Sequence, residues 1–181
     1  MNIKKKSFYF KYIQKINTVF NSIEIKKIEI LEKLIKKSNR NKILIFGNGA
    51  GASIASHFAN DLSNTSKIKT ISFDNSAHLT CFANDYGYEN WVKKTIEIYA
   101  DKNDFIILLS ASGKSKNMIN AAKYCKLKKI NFFSISGFDK NNFLNRLSKN
   151  HIWINSKSYN QIEISQLFIL LSVIDKLNLN N

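Results

Sequence analysis

The sequence predicts an α/β protein: a mostly parallel sheet covered by helices on both faces. Short apolar runs alternate with helical patterns from Lys42 onward, no proline interrupts them, and small-residue turns follow two of the runs. With 181 residues, 44% of them hydrophobic, the chain suits one domain with a substantial core and is too apolar for disorder. We expect a single domain over 1–181, with a helical segment at 1–41 and a ligand-binding α/β core at 42–181.

In chain order, residues 8–38 place Ile13, Ile16, Phe20, Ile23, Ile28, Leu31 and Leu34 at roughly helical spacing, as two helices or one long one. Strands follow at "KILIFG", "KTISF", "FIILLS", "NFFSIS" and "HIWIN". Helices are predicted near 51–62, 88–99, 114–126 and 160–177, with a short one near 141–148. In such sheets ligands sit at the C-terminal ends of strands, where the strand order reverses. Two polar loops fall there: "GNGAGAS" after the first strand and "SASGKS" after the third.

Composition narrows the partners. The net charge is +15, yet only Arg40 and Arg146 among 28 basic residues are arginine, the side chain that phosphate and base recognition favours. Twelve basic and three acidic residues fall in 1–42, spread along a helical pattern rather than gathered in a tail. This reads as a solvated lysine-rich surface, not a nucleic-acid interface. Lys11 and Lys15 interrupt any secretory apolar region, and "LFILLSVI" is far too short to span a membrane. Cys81 and Cys125 have neither metal nor disulfide spacing. A soluble, cytoplasmic protein without membrane partners is the expectation.

Each loop admits a tempting misreading. Gly113-Lys114-Ser115 resembles the end of a Walker A loop, but the required earlier glycine position holds Leu108. Gly47 to Ala52 fits G-x-G-x-x-A, and Asp74 ends the next strand where a ribose-binding acid belongs. A dinucleotide reading, however, leaves too little chain for a substrate domain and gives the serine loop no role. Used together, the loops suit a phosphate monoester. Ser110, Ser112 and Ser115 offer three hydroxyls, and the amides that open the next helix point the same way.

"FGNGAGASIASHFANDL", "HLTCFANDYGYE" and "NDFIILLSASGKS" resemble the sugar-isomerase (SIS) domain, and within it the phosphoheptose isomerase type. The resemblance implies a flavodoxin-like, doubly wound five-stranded parallel sheet with N-terminal helices. It also implies a homotetramer packed through the terminal helices, and a phosphorylated sugar as substrate. The activity implied is aldose–ketose isomerisation of sedoheptulose 7-phosphate to D-glycero-D-manno-heptose 7-phosphate, serving lipopolysaccharide, capsule or other glycan synthesis. Matching substrate-binding positions are Asn48, Gly49, Ala50, Asn84, Asp85, Ser110, Ala111, Ser112 and Ser115. Gly51 replaces a serine usual in the glycine loop.

The resemblance is thinner for the chemistry. Isomerisation through an enediol needs a base, an acid and a group that polarises the carbonyl. The family's His and Glu, four residues apart and able to hold zinc, correspond to His57 and Asp61. Aspartate reaches about 1.5 Å less far than glutamate. On the last helix the family's Gln and His fall on Ile162 and Leu170, and no histidine follows His151. Catalytic candidates are therefore His57, Asp61 and Glu163, with His57 and Asp61 as an incomplete zinc pair; His78 is read as a packing residue. The alternative is an impaired relative that binds sugar phosphate as a sensor or partner-binding module.

Overall fold

The computed structural model describes residues 7–179. Two helices, α1 (Phe8–Asn21) and α2 (Ile25–Lys37), precede the sheet, separated by a break at 22–24. They are followed by β1 (Ile43–Phe46), α3 (Ala50–Thr65), β2 (Thr70–Ser72), α4 (Ser76–Tyr86) and α5 (Trp91–Tyr99). The second half holds β3 (Phe105–Ser110), α6 (Lys116–Lys128), β4 (Asn131–Ser136), α7 (Phe143–Leu147), β5 (Asn150–Trp153) and α8 (Tyr159–Asn178).

The five strands pair in parallel in the order β2-β1-β3-β4-β5, the flavodoxin-like arrangement expected. β1 and β3 are buried at every position, because a central parallel strand is covered on both faces and reads as a continuous apolar run. The edge strand β2 is only partly buried. One apolar layer joins the sheet to α1, α2, α3 and α8 through Val19, Leu31, Ile35, Phe58, Leu62, Ile169 and Val173. The opposite layer joins it to α5, α6 and α7 through Trp91, Ile96, Met118, Ala122 and Leu144.

Two predictions are corrected. The helix expected at 88–99 begins only at Trp91, since 88–90 form a turn. The helix α4 was not foreseen, because none of its residues is fully buried and it shows no continuous apolar stripe. Its start is nonetheless encoded: the Asn75 side chain accepts hydrogen bonds from the amides of Ala77 and His78, a common N-cap. No helix among the described residues is long and apolar enough to cross a membrane.

Candidate active site

The sheet order reverses between β1 and β3, and there the loops after the two strands meet. After β1 the chain turns sharply. A Cβ at Gly47 would lie 2.2 Å from the Gly51 carbonyl carbon, so only glycine lets the incoming strand pass so near the start of α3. After β3, Gly113 has φ +65°, and a Cβ there would meet the Asn142 side chain at 2.1 Å. Asn142 is itself fixed, donating to Ser136 Oγ and to the carbonyls of Gly137 and Asp139. The serine loop therefore rests on a rigid polar seat.

Asn48 and Asn117 join the loops. Asn48 Nδ2 donates to Asn117 Oδ1 at 3.1 Å, and Asn117 Nδ2 returns a bond to Asn48 Oδ1 at 2.8 Å. Tyr88, from the turn after α4, adds its hydroxyl to Asn48 Oδ1 at 3.3 Å. Asn117 is buried in the first turn of α6, and its Oδ1 also accepts from the Met118 amide.

Beside this bridge lies a cavity of about 150 Å³ lined by Asn48, Ser110, Ala111, Ser112 and Ser115, with Glu163 and Gln166 of α8 on its wall. Ser110 Oγ donates to Ser115 Oγ at 3.0 Å, and Ser112 Oγ accepts from the Lys114 amide at 3.2 Å. Ser115 is the N-cap of α6 but forms no side-chain cap bond; with the Met118 amide held by Asn117 Oδ1, the amides of Lys116 and Asn117 remain available for an anion. This is donor-rich chemistry suited to a phosphate monoester. Inferred pocket sizes for whole ligands start near 300 Å³, so this cavity holds one end of a sugar phosphate rather than all of it.

The structure gathers Asn48, Ser110, Ala111, Ser112, Ser115 and Glu163 at one cavity; Gly49 and Ala50 stand beside it at the start of α3. It does not gather the others. Asn84 and Asp85 lie exposed on α4, where Asn84 Nδ2 donates to Asp85 Oδ1 at 3.0 Å. His57 and Asp61 lie on the outer face of α3, with Nε2 and Oδ2 3.6 Å apart and side chains 52% and 42% exposed. At helical rise His57 stands about 12 Å along the axis from Gly49. Among the described residues no three His, Cys, Asp or Glu side chains cluster to hold a metal. Two ligands fall short of the three or four that a zinc site takes from protein, so a zinc ion does not fit the residues of one chain.

α8 differs from expectation. Ile162 and Leu170, the positions matched to the family's Gln and His, are fully buried in the core, and neither lines the cavity. Tyr159, Glu163 and Gln166, spaced to share one helical face, line the cavity instead. Gln166, Asn117 and Tyr88 were missed in the sequence. The signal for Gln166 was a single amide inside "QLFILL". Neither thiol competes as a nucleophile in this cavity: burial pushes Cys125 up to about 12, and Cys81 is exposed on α4.

A family model described as SIS domain matches residues 8–137. The phosphoheptose isomerase of Helicobacter pylori strain P12 is 38% identical over 130 residues, covering 63% of this chain and 67% of that protein. The phosphoheptose isomerase of strain Shi470 is 42% identical over 108 residues, 56% of each chain, so here the match spans little more than half of the relative. Among solved structures, the phosphoheptose isomerase of Neisseria gonorrhoeae superposes with a TM-score of 0.83 at 22% identity, covering 93% of this chain and 95% of that one.

Proposed function

The chain belongs to the SIS domain family, and from that premise we propose that it is an aldose–ketose isomerase converting sedoheptulose 7-phosphate to D-glycero-D-manno-heptose 7-phosphate. One observation carries the reading: two loops at the switch point of the sheet converge on a single small cavity whose serines and helix amides match a phosphate monoester. Relatives named phosphoheptose isomerase support the sugar and the reaction.

The reaction moves one proton from C1 to C2 and one from the C1 hydroxyl to the C2 oxygen, through an enediol, with no external oxidant. With the phosphate held by the serine loop, Glu163 is the carboxylate on the cavity wall and serves as the base. Ser110, Ser112 and Ser115 hold the phosphate, and holding that end fixes the carbon chain relative to the wall. His57 and Asp61 remain candidates for the second proton transfer, acting where the sugar extends beyond the cavity. This pair alone supplies too few ligands to hold zinc, and no step is derived through a metal.

We place the enzyme in the cytoplasm, in keeping with two free thiols, and in glycan precursor synthesis such as lipopolysaccharide or capsule. We also propose a homotetramer. Phe8, Tyr9 and Ile13 on α1, with Ile164 and Phe168 on α8, leave apolar side chains exposed on the two terminal helices.

The deciding assay incubates the protein with sedoheptulose 7-phosphate, with and without added zinc, and follows the aldose product. Turnover that Glu163→Gln lowers supports the proposal. Binding without turnover under both conditions refutes the isomerase and leaves a sugar-phosphate binder.

A further inference from the structure

Gln166 is the one uncharged amide on the cavity wall contributed by α8, and it is only 1% exposed. Its Nε2 donates to the carbonyl of Ile135, near the end of β4, at 2.9 Å. That bond fixes the amide's orientation, because a flip would set Oε1 against a carbonyl oxygen. Among the described residues no group donates to Oε1, and Oε1 is not among the sealed, unpaired polar atoms of the interior, which are Trp91 Nε1 and Ser134 Oγ. The space it opens on is the cavity.

Buried side-chain oxygens left without a donor are costly, so a ligand that supplies one is favoured over a ligand that does not. Glu163, three residues earlier on the same face, adds carboxylate oxygens that also only accept when ionised. The cavity is thus divided. Its loops donate to the phosphate, and its helical wall accepts.

We propose that Gln166 is a specificity-determining residue whose Oε1 accepts a hydrogen bond from the sugar hydroxyl on the carbon next to the phosphate-bearing one. The site therefore selects phosphomonoesters of polyhydroxylated chains against analogues deoxygenated at that carbon. In sedoheptulose 7-phosphate this is the C6 hydroxyl. The inference rests on the sugar-phosphate reading above and adds the residue that reads the sugar.

The test measures binding of inorganic phosphate, sedoheptulose 7-phosphate and its 6-deoxy analogue to the wild type and to Gln166→Met, which keeps the length but offers neither amide group. The wild type is expected to bind the natural sugar about tenfold more tightly than the deoxy analogue. Gln166→Met is expected to lose that preference while its inorganic phosphate affinity stays within about twofold. A wild type that binds both sugars equally overturns the inference, as does a variant that keeps the wild-type preference. Should Gln166→Met fail to fold, the wild-type comparison decides alone. A wild type that binds none of the three ligands refutes the proposed function itself, a result distinct from equal binding of the two sugars.

Discussion

The two ends of α3 make a contrast. At its N-terminus, Asn48 is tied to Asn117 and Tyr88, Gly47 passes against the Gly51 backbone, and the serine loop sits on Asn142. Two turns further along, His57 and Asp61 stand on an exposed face, and among the described residues their side chains pair only with each other, 3.6 Å apart. The proposed phosphate site is built from mutually bonded groups of one chain, with Ser110 and Asn117 buried and Asn48, Ser112 and Ser115 half-buried. The family's paired acid–base residues lack such support here. A tight mould suits the ligand group that does not change during the reaction, while proton transfer needs groups that reach the changing end of the sugar.

The contrast breaks most severely at Gly113→Ala. The new methyl would need φ +65° and would strike the Asn142 side chain at 2.1 Å, displacing the buried amide that holds Ser136 and Gly137. We expect a loss of about 3 kcal/mol or more in chemical denaturation, with phosphate affinity falling alongside. A loss below about 1 kcal/mol would mean the serine loop is not seated as rigidly as described. His57→Ala should do the reverse. Stability should stay within about 0.5 kcal/mol, as for an exposed side chain, and phosphate affinity should hold. Turnover should drop about a hundredfold, the low end for losing a general acid or base. Unchanged turnover would move all the chemistry to Glu163 and the cavity.

This division also explains what could be read from the sequence. Ser110, Ser112, Ser115 and the glycine loop were legible because turns are written in local residue types, and the strand runs at 43–46 and 105–110 because central parallel strands are apolar throughout. Asn117 was not legible, since its partner Asn48 lies 69 residues away and only the strand order brings them together. α8 misled for another reason. Apolar residues occupy most of its faces, so its phase could not be fixed from spacing, and Ile162 and Leu170 were assigned to a face that proves to be core. The wall of Tyr159, Glu163 and Gln166 became visible only once the helix was docked.

Smaller effects sharpen the picture at the bridge between the loops. Asn48→Ala and Asn117→Ala should each weaken phosphate binding several-fold. The double variant should show a coupling of about 1 kcal/mol, because either single change removes both reciprocal bonds. Strict additivity in a double-mutant cycle would mean that the amide pair does not hold the loops together.

The smallest expected effect concerns α4, which carries Asn84 and Asp85 and has no fully buried residue of its own. His78 anchors it: Nε2 lies 2.8 Å from Thr95 Oγ1, and the ring stacks on Phe82 at 4.1 Å with Phe73 and Tyr99 beside it. Because Thr95 Oγ1 donates to the Trp91 carbonyl, it accepts from His78, which places the proton of the neutral imidazole on Nε2. Burial among these rings lowers the His78 pKa from its ordinary 6.5. The unfolded chain then binds the proton more readily than the folded one, so the anchor's contribution is present above pH 6.5 and fades as pH falls through the depressed value. Thermal melts from about pH 7 down to about pH 5 should lose stability in the wild type, and less of it in His78→Gln, which keeps a donor for Thr95 without titrating. Parallel pH profiles would show that titration of His78 does not govern how α4 is held against Thr95 and its aromatic neighbours.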